Sequence, residues 1–132
     1  MRYMLDTNIC SYLLKNRPAS VKAHFERVGS DALAISTVVL AELYYGAARH
    51  PKSVTIRGEI DDFSSRLTVI PWDEIAADHY GIIRALLEKS GTPIGAMDMM
   101  IAAHARSLDS ILVSNNTRHF EKVPGLKIEN WT

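Results

Sequence analysis

The chain has 132 residues, which is enough for one domain with a single hydrophobic core but too few for two. Hydrophobic residues make up 47% and charged residues 23%, an ordinary globular composition that excludes a disordered or fibrous chain. Fifteen basic and fifteen acidic side chains cancel, so any polyanionic partner must be held by a local patch. We therefore expect one domain spanning residues 1–132.

The sequence carries no sign of a membrane segment or an export signal. No apolar stretch approaches the length of a membrane span, and the first residues lack the apolar core of a signal peptide. The single cysteine, Cys10, excludes an internal disulfide and a multi-cysteine metal site, and its helical neighbourhood suggests a small core residue. These features predict a cytoplasmic protein without membrane association.

The first predicted element is a short strand that runs directly into Asp6. Thr7 or Asn8 can then cap a helix. In open α/β sheets, ligands bind beyond the carboxyl ends of the strands, which is where this carboxylate falls. Asp6 could equally be an ordinary cap or turn residue.

Strand and helix patterns alternate along the rest of the chain. Predicted strands cover residues 33–36, 68–70 and 111–114, and residues 127–129 add a last strand at an edge. This alternation predicts an α/β fold with a mostly parallel sheet, helices on both faces and right-handed crossovers.

Five helical segments are predicted between these strands. They are a segment opened by Pro18, a helix over residues 38–50 capped by Thr37, one over residues 53–67, one from Asp73 to Gly91, and one over residues 97–108. Spacing predicts the core-facing residues of the last two helices: Ile75, Tyr80, Ile83 and Leu87 in one, and Met97, Ile101, Ala105 and Leu108 in the other.

Two acids in these helices lack the basic residue, three or four positions away, that usually accompanies a surface acid: Glu42 and Asp98. An unpaired carboxylate on a partly apolar surface is costly unless something neutralises it. The helix dipole explains part of Asp98, which lies in a first turn. Together with Asp6, these acids suggest a shared cation, and oxygen ligands without cysteine favour Mg²⁺ or Mn²⁺ over Zn²⁺. The three acids meet only if the first strand is central in the sheet.

Four segments carry a family resemblance, and they occur in the family's order. They are MLDTN at 4–8, ISTVVLAELYYGA at 35–47, GTPIGAMDMMIAAHA at 91–105 and LVSNNTRHFEKVPGL at 112–126. This ordered set resembles the PIN-domain ribonucleases, in particular the VapC toxins. The resemblance covers essentially the whole chain.

The resemblance implies a PIN-like three-layer α/β/α sandwich with a central, mostly parallel sheet of four or five strands. Asp6, Glu42 and Asp98 would form its acidic cluster and bind Mg²⁺ or Mn²⁺. Asn116 falls where many members carry a fourth acid, so a neutral oxygen ligand or water-positioning group stands there, and one firmly held ion is expected rather than two. Toxins of this family pair with a VapB-like antitoxin and form homodimers, and we expect both here.

The implied activity is metal-dependent hydrolysis of RNA, with Asp6 and Asp98 as metal ligands and Glu42 as a ligand or as the base that takes the water's proton. Enteric-type VapC toxins point to the anticodon loop of initiator tRNA as the substrate. A phosphoryl-receiver domain would need an acceptor aspartate after the third strand, where Pro71 stands instead. A PIN-like scaffold that binds RNA or protein without cutting is the other alternative, which Asn116 raises and the three acids disfavour.

Supporting roles fall to three further groups of side chains, each with an ordinary alternative. Thr7, Asn8, Ser36, Ser114 and Asn116 could position the ligands or substrate, or be simple caps. Arg17, Arg118, His119 and Lys122 could contact phosphates at the rim, or be solvated charges. Tyr12, Tyr44, Tyr45 or His119 could stack on RNA bases, or pack in the core.

Overall fold

The computed structural model describes residues 2–132. Five strands are present: β1 (Tyr3–Leu5), β2 (Leu33–Ser36), β3 (Thr68–Ile70), β4 (Ile111–Val113) and β5 (Lys127–Glu129). Seven helices accompany them: α1 (Thr7–Leu14), α2 (Ala19–Val28), α3 (Thr37–Ala48), α4 (Ser53–Ser65), α5 (Glu74–Lys89), α6 (Ala96–Ser107) and α7 (Thr117–Phe120), with a 3-10 turn at Ser30–Ala32. The alternating strands and helices predicted from the sequence are confirmed, and the short α7 was not predicted.

All strands pair in parallel in one sheet with the order β3-β2-β1-β4-β5. The central strands are almost wholly buried, whereas β3 and β5 at the edges are partly exposed. This burial is expected where helices cover both faces of a parallel sheet. The predicted α/β fold with a mostly parallel sheet of four or five strands is confirmed, with five strands present and β1 at the centre.

The strand order reverses direction at β1. The connections through α1–α4 run outward to β2 and β3, and the connection through α5 and α6 then crosses back to β4. Because parallel crossovers are almost always right-handed, this reversal places the two sets of helices on opposite faces. The chain thereby opens a crevice beyond the ends of β1 and β4, the position at which open α/β sheets bind ligands.

The inner faces of α5 and α6 differ from those predicted. Ile75 is 60% exposed, and Ala76 takes its place beside the buried Ile83 and Leu87. The prediction favoured the larger side chain, although the small alanine lies in phase with the buried positions. In α6, five consecutive residues are buried, so that helix has no single core-facing stripe, and Met97 and Leu108 at its ends are each 40% exposed.

The first helix is anchored in the core, where Ile9 and Cys10 are fully buried. The prediction of Cys10 as a small core residue is confirmed. Over residues 2–132, no helix is long and apolar enough to cross a membrane.

Candidate active site

Asp6 ends the central strand and begins α1. Its backbone N–H donates to the carbonyl of Val113 at the end of β4 (3.1 Å), and its Oδ1 accepts from the backbone N–H of Ile9 (2.9 Å). Asp6 is therefore the helix cap, and the prediction that Thr7 or Asn8 caps this helix is wrong. Because the chain turns at Asp6, Thr7 is already helical. The cap uses one carboxylate oxygen, while the carboxyl group lines a cleft.

Glu42 reaches the same cleft from the middle of α3. Its Oε1 accepts a hydrogen bond of 2.5 Å from the hydroxyl of Thr7. The cap of α3 is Ser36, whose Oγ accepts from the backbone N–H of Val38 (3.1 Å), and not Thr37 as predicted. Ser36 thus acts as a helix cap and does not line the cleft, because its buried hydroxyl is turned to the helix.

Asp98 enters the cleft from the first turn of α6. The nearest basic group is His119, whose Nδ1 lies 3.8 Å from Asp98 Oδ2. The same Nδ1 is 2.9 Å from the side-chain nitrogen of Asn116. Asn116 in turn is fixed through its backbone N–H, which donates to the buried Ser114 Oγ (2.9 Å). His119 therefore touches two residues of the site from its edge, and 46% of its side chain remains exposed.

Six residues from four segments of the chain line this cleft, which has a volume of about 140 Å³: Asp6, Thr7, Asn8, Glu42, Asp98 and Asn116. We call it the acid cleft. All six side chains carry an oxygen that can bind a hard cation: three carboxylates, one hydroxyl and two amides. The sequence-derived requirement that β1 be central is met, and the three acids share one site.

Burial and like charge both act on the carboxyl groups of the acid cleft. Burial raises the pKa of Asp6, and the nearby charges of Asp98 and Glu42 add to the rise, although Ser114 and the Ile9 N–H partly offset it. Burial also raises the pKa of Asp98, and the neighbouring His119 opposes that rise. A site that holds carboxylates against these penalties is suited to a positive ligand.

The acid cleft fits a divalent cation in donor chemistry and in size. Its volume corresponds to roughly four to five water molecules at about 30 Å³ each, enough for one ion with part of its hydration shell. Among residues 2–132, however, no group of three or more Asp, Glu, His or Cys side chains already has the arrangement of a metal-binding site. One oxygen of Glu42 is instead engaged by the hydroxyl of Thr7.

Three of the basic residues predicted at the rim lie outside the acid cleft. Arg17 belongs to a separate groove with Tyr12 and Lys15 on the far end of α1. Arg118 and Lys122 are exposed on and after α7, and neither lines the cleft. Their proximity to RNA stays a prediction.

A larger groove, which we call the α1–α3 groove, continues from the acid cleft and shares Thr7 and Glu42 with it. Its volume is about 680 Å³. Its lining is mostly apolar and includes two cationic residues, Lys15 and Arg49, that sequence reasoning did not single out. For Arg49 the available signal was its spacing of seven residues from Glu42, about two helical turns, at the end of α3. Lys15 had no comparable signal.

This parallel sheet, with an acid cleft at the ends of its central strands, defines the class of the protein. The PIN domain family matches residues 3–126, and the chain belongs to that family. Its relatives within the family are VapC ribonucleases. It is 46% identical over 132 residues to the tRNA(fMet)-specific endonuclease VapC of Shigella flexneri, with 100% of this chain and 99% of that protein covered.

Two solved structures share the fold over the whole chain. The DNA-bound VapBC of Salmonella typhimurium matches with a TM-score of 0.94 and 41% identity, covering 100% of this chain and 99% of that chain. VapBC2 of Rickettsia felis, bound to a DNA fragment from its promoter, matches with a TM-score of 0.94 and 39% identity, covering 100% of both chains. The family resemblance drawn from the sequence is confirmed.

Proposed function

We propose that this VapC-type PIN domain is the toxin of a toxin–antitoxin pair and that it cuts RNA with the help of Mg²⁺ or Mn²⁺ held in the acid cleft. The observation that supports this most directly is the convergence of Asp6, Glu42 and Asp98 from three separate segments on one cleft. The raised pKa of Asp6 and of Asp98 supports a cationic ligand in the same place.

Asp6 and Asp98 would hold the ion, with Asn116 as a neutral oxygen ligand or a group that positions water. A bound divalent ion polarises a phosphoryl oxygen and eases deprotonation of water. Glu42 is either a third ligand or the base that takes the proton of the attacking water, while Thr7 holds its Oε1. Water attacks the phosphorus in line, and the opposite phosphorus–oxygen bond breaks to give two RNA ends.

The proposed substrate is the anticodon loop of initiator tRNA. The supporting observation is the 46% identity to a tRNA(fMet)-specific endonuclease over the whole chain. The charge of the protein is consistent with a selective enzyme, because a net charge of zero gives little general attraction to bulk RNA. Shape and a few contacts must then select the target, and a folded stem-loop presents both.

The proposed partner is a VapB-like antitoxin, since the solved relatives are VapBC complexes. A basic antitoxin side chain placed among Asp6, Glu42 and Asp98 would supply the counter-charge they lack and block the site. We further propose a homodimer, supported by Ile75, Ile82 and Leu86, which leave apolar surface exposed along α5. The site of action would be the cytoplasm, where the proposed substrate is found.

A non-cutting PIN-like scaffold is the second candidate, favoured by one observation. Asn116 provides an uncharged side chain at the edge of the acid cleft, which weakens its hold on a cation. In that case the protein would bind RNA or the antitoxin without turnover.

Expression in a bacterial host and assay of the purified protein separate these candidates. We expect growth arrest when the protein is expressed alone, rescue by the co-expressed antitoxin, and no arrest by Asp98→Asn. The purified protein should cut RNA with Mg²⁺ or Mn²⁺ and stop on addition of a chelator. Soluble protein that leaves growth unaffected and RNA intact would support the scaffold.

A further inference from the structure

The four side chains that could stack on an RNA base differ in how accessible their rings are in the structure. Tyr44 is occupied, because its hydroxyl donates to Asp61 Oδ1 (2.9 Å) and the guanidinium of Arg57 lies 3.7 Å from its ring centroid. Tyr12 is half-buried, and its hydroxyl accepts from the side-chain nitrogen of Asn115 (2.8 Å). Tyr44 is thus engaged through its ring and Tyr12 through its hydroxyl, and Tyr12 lines the separate groove with Arg17 and not the acid cleft.

The other two candidates lie on either side of the acid cleft. His119 is engaged at its edge by Asn116 and Asp98. Tyr45 is 68% exposed and lines the α1–α3 groove. It therefore has the most accessible ring of the four.

Tyr45 also has the right neighbours for a nucleotide. It lies three residues after Glu42 on α3, so the two side chains are one helical turn apart and both line the α1–α3 groove. Arg49 follows one turn later, and its Cζ lies over the Tyr45 ring at 5.5 Å from the centroid, a looser contact than the 3.7 Å of Arg57 over Tyr44, so that Tyr45 stays 68% exposed. An aromatic face beside a guanidinium offers a stacking surface and a phosphate donor together.

We propose that the α1–α3 groove is the nucleobase subsite of the ribonuclease. Tyr45 stacks on an unpaired base next to the scissile phosphate, and Arg49 and Lys15 contact the RNA backbone on either side of that base. This inference rests on the proposed function, because it assigns a substrate contact to the nuclease site.

Three features of the groove favour RNA as its occupant. It is continuous with the acid cleft through Thr7 and Glu42, so a nucleotide in the groove remains attached to a phosphate in the cleft. Its volume of about 680 Å³ accommodates a nucleotide, and its lining is mostly apolar. Away from the cleft, cationic Lys15 and Arg49 outnumber the single acid, Glu59.

The subsite accounts for selection of single-stranded loops. A base can stack on Tyr45 only after it has left its own helical stack, which is easy in a loop and costly in a duplex. Duplex RNA of any sequence should therefore be a poor ligand for the α1–α3 groove.

The test measures RNA binding and cleavage separately. For binding, the Asp98→Asn background prevents turnover, and the probe is a short RNA stem-loop with 2-aminopurine at successive loop positions. We expect the fluorescence to be quenched at one loop position, and we expect Tyr45→Ala to abolish this quenching and Tyr45→Phe to retain it. Arg49→Gln should weaken RNA binding. It should also reduce the slope of log K against log salt concentration by about one, as expected for the loss of one phosphate contact. The controls are Val54→Ala and Arg27→Gln, which change exposed side chains outside the groove.

For cleavage, Tyr45→Ala in the otherwise native protein should raise KM about 5- to 150-fold, the range expected for loss of one stacked base, with a smaller effect on kcat. Unchanged KM and unchanged quenching in Tyr45→Ala, with cleavage intact, would overturn the subsite while leaving the proposed function in place. Weaker antitoxin binding in that variant with normal RNA binding would also overturn it, and would make the groove a protein-binding surface. If the unmodified protein cuts no RNA, the proposed function itself fails.

Discussion

The hydroxyl of Thr7 donates a hydrogen bond of 2.5 Å to Glu42 Oε1, and the two residues lie 35 positions apart in the chain. Thr7 is the first residue of α1, and Glu42 lies in the middle of α3. The bond fixes one oxygen of the carboxylate and so sets the direction of the other. We therefore expect Thr7 to position Glu42 in the acid cleft, and its supporting role stays a prediction.

Removing this hydrogen bond should slow the enzyme without unfolding it. We expect Thr7→Val to lower kcat/KM for RNA about 10-fold, the lower end of the range for groups that orient metal-site residues. Thr7→Ser keeps the hydroxyl and should stay near the unmodified protein. Equal rates for Thr7→Val and Thr7→Ser would show that Glu42 does not need this support.

Replacement of a proposed ligand should remove metal binding and cleavage together. For Asp6→Asn and Asp98→Asn we expect losses on the order of 100-fold or more, since groups behind the ligands already cost about 10- to 100-fold. Calorimetric titration with Mn²⁺ and an RNA cleavage assay measure the two effects, and circular dichroism checks the fold. Metal-dependent cleavage at a near-normal rate in either variant would contradict the assignment of that ligand.

The metal-free protein should gain stability when Asp6 is neutralised. Burial and like charge raise the pKa of Asp6, so the folded state holds its proton more tightly than the unfolded state. Asparagine keeps the helix cap and removes the buried charge. We expect Tm in a chelator at neutral pH to rise by about 2 to 6 °C, for a gain on the order of 1 kcal/mol. An unchanged or lower Tm would mean that the buried charge of Asp6 does not destabilise the folded protein.

This gain should depend on pH with a defined sign. Above the raised pKa of Asp6, the carboxylate is charged in both states and the folded state carries the full penalty. As the pH falls through that pKa towards the ordinary value of 3.8, the folded protein binds the proton first and the penalty disappears. The difference in the free energy of unfolding between Asp6→Asn and the unmodified protein should therefore be largest at neutral pH and shrink towards pH 3.8. Urea unfolding in a chelator at several pH values measures it, and a difference that grows on acidification would contradict the sign.

Asn116→Asp tests whether this side chain faces the ion. A fourth carboxylate in the acid cleft should tighten Mn²⁺ binding about 10-fold or more, because ligand charge sets affinity for hard cations. Turnover need not rise with it. Asn130→Asp is the matched control, since it adds the same charge at an exposed position outside the cleft. Equal metal affinity in the two variants would reduce Asn116 to the cap of α7.

The three acids of the acid cleft could be selected from the sequence because the chemistry of their neighbours was unusual. Glu42 and Asp98 stood out as acids without local counter-charges, and Asp6 stood out because it follows a buried strand. Whether they meet depends on which strands pair, and local patterns carry no information on pairing. The condition that β1 be central came from the sequence, and the structure supplied the answer.

The errors lie where neighbouring residues have similar propensities. Asp6 and Thr7, or Ser36 and Thr37, can each cap a helix, and in both pairs the first residue keeps an extended backbone and acts as the cap. The partners of His119 could not be predicted either. Its contacts with Asp98 and Asn116 depend on the four-residue α7, which is too short to produce a helical pattern.

The most direct test of the account is to incubate the purified protein with total bacterial tRNA and map every new RNA end. We predict one dominant cut in the anticodon loop of initiator tRNA that requires Mg²⁺ or Mn²⁺, disappears with a chelator, and is missing with Asp98→Asn. Uniform cutting of unrelated RNAs would contradict the selectivity. Cutting that persists in a chelator or with Asp98→Asn would contradict the central claim that the acid cleft is a metal-dependent nuclease site.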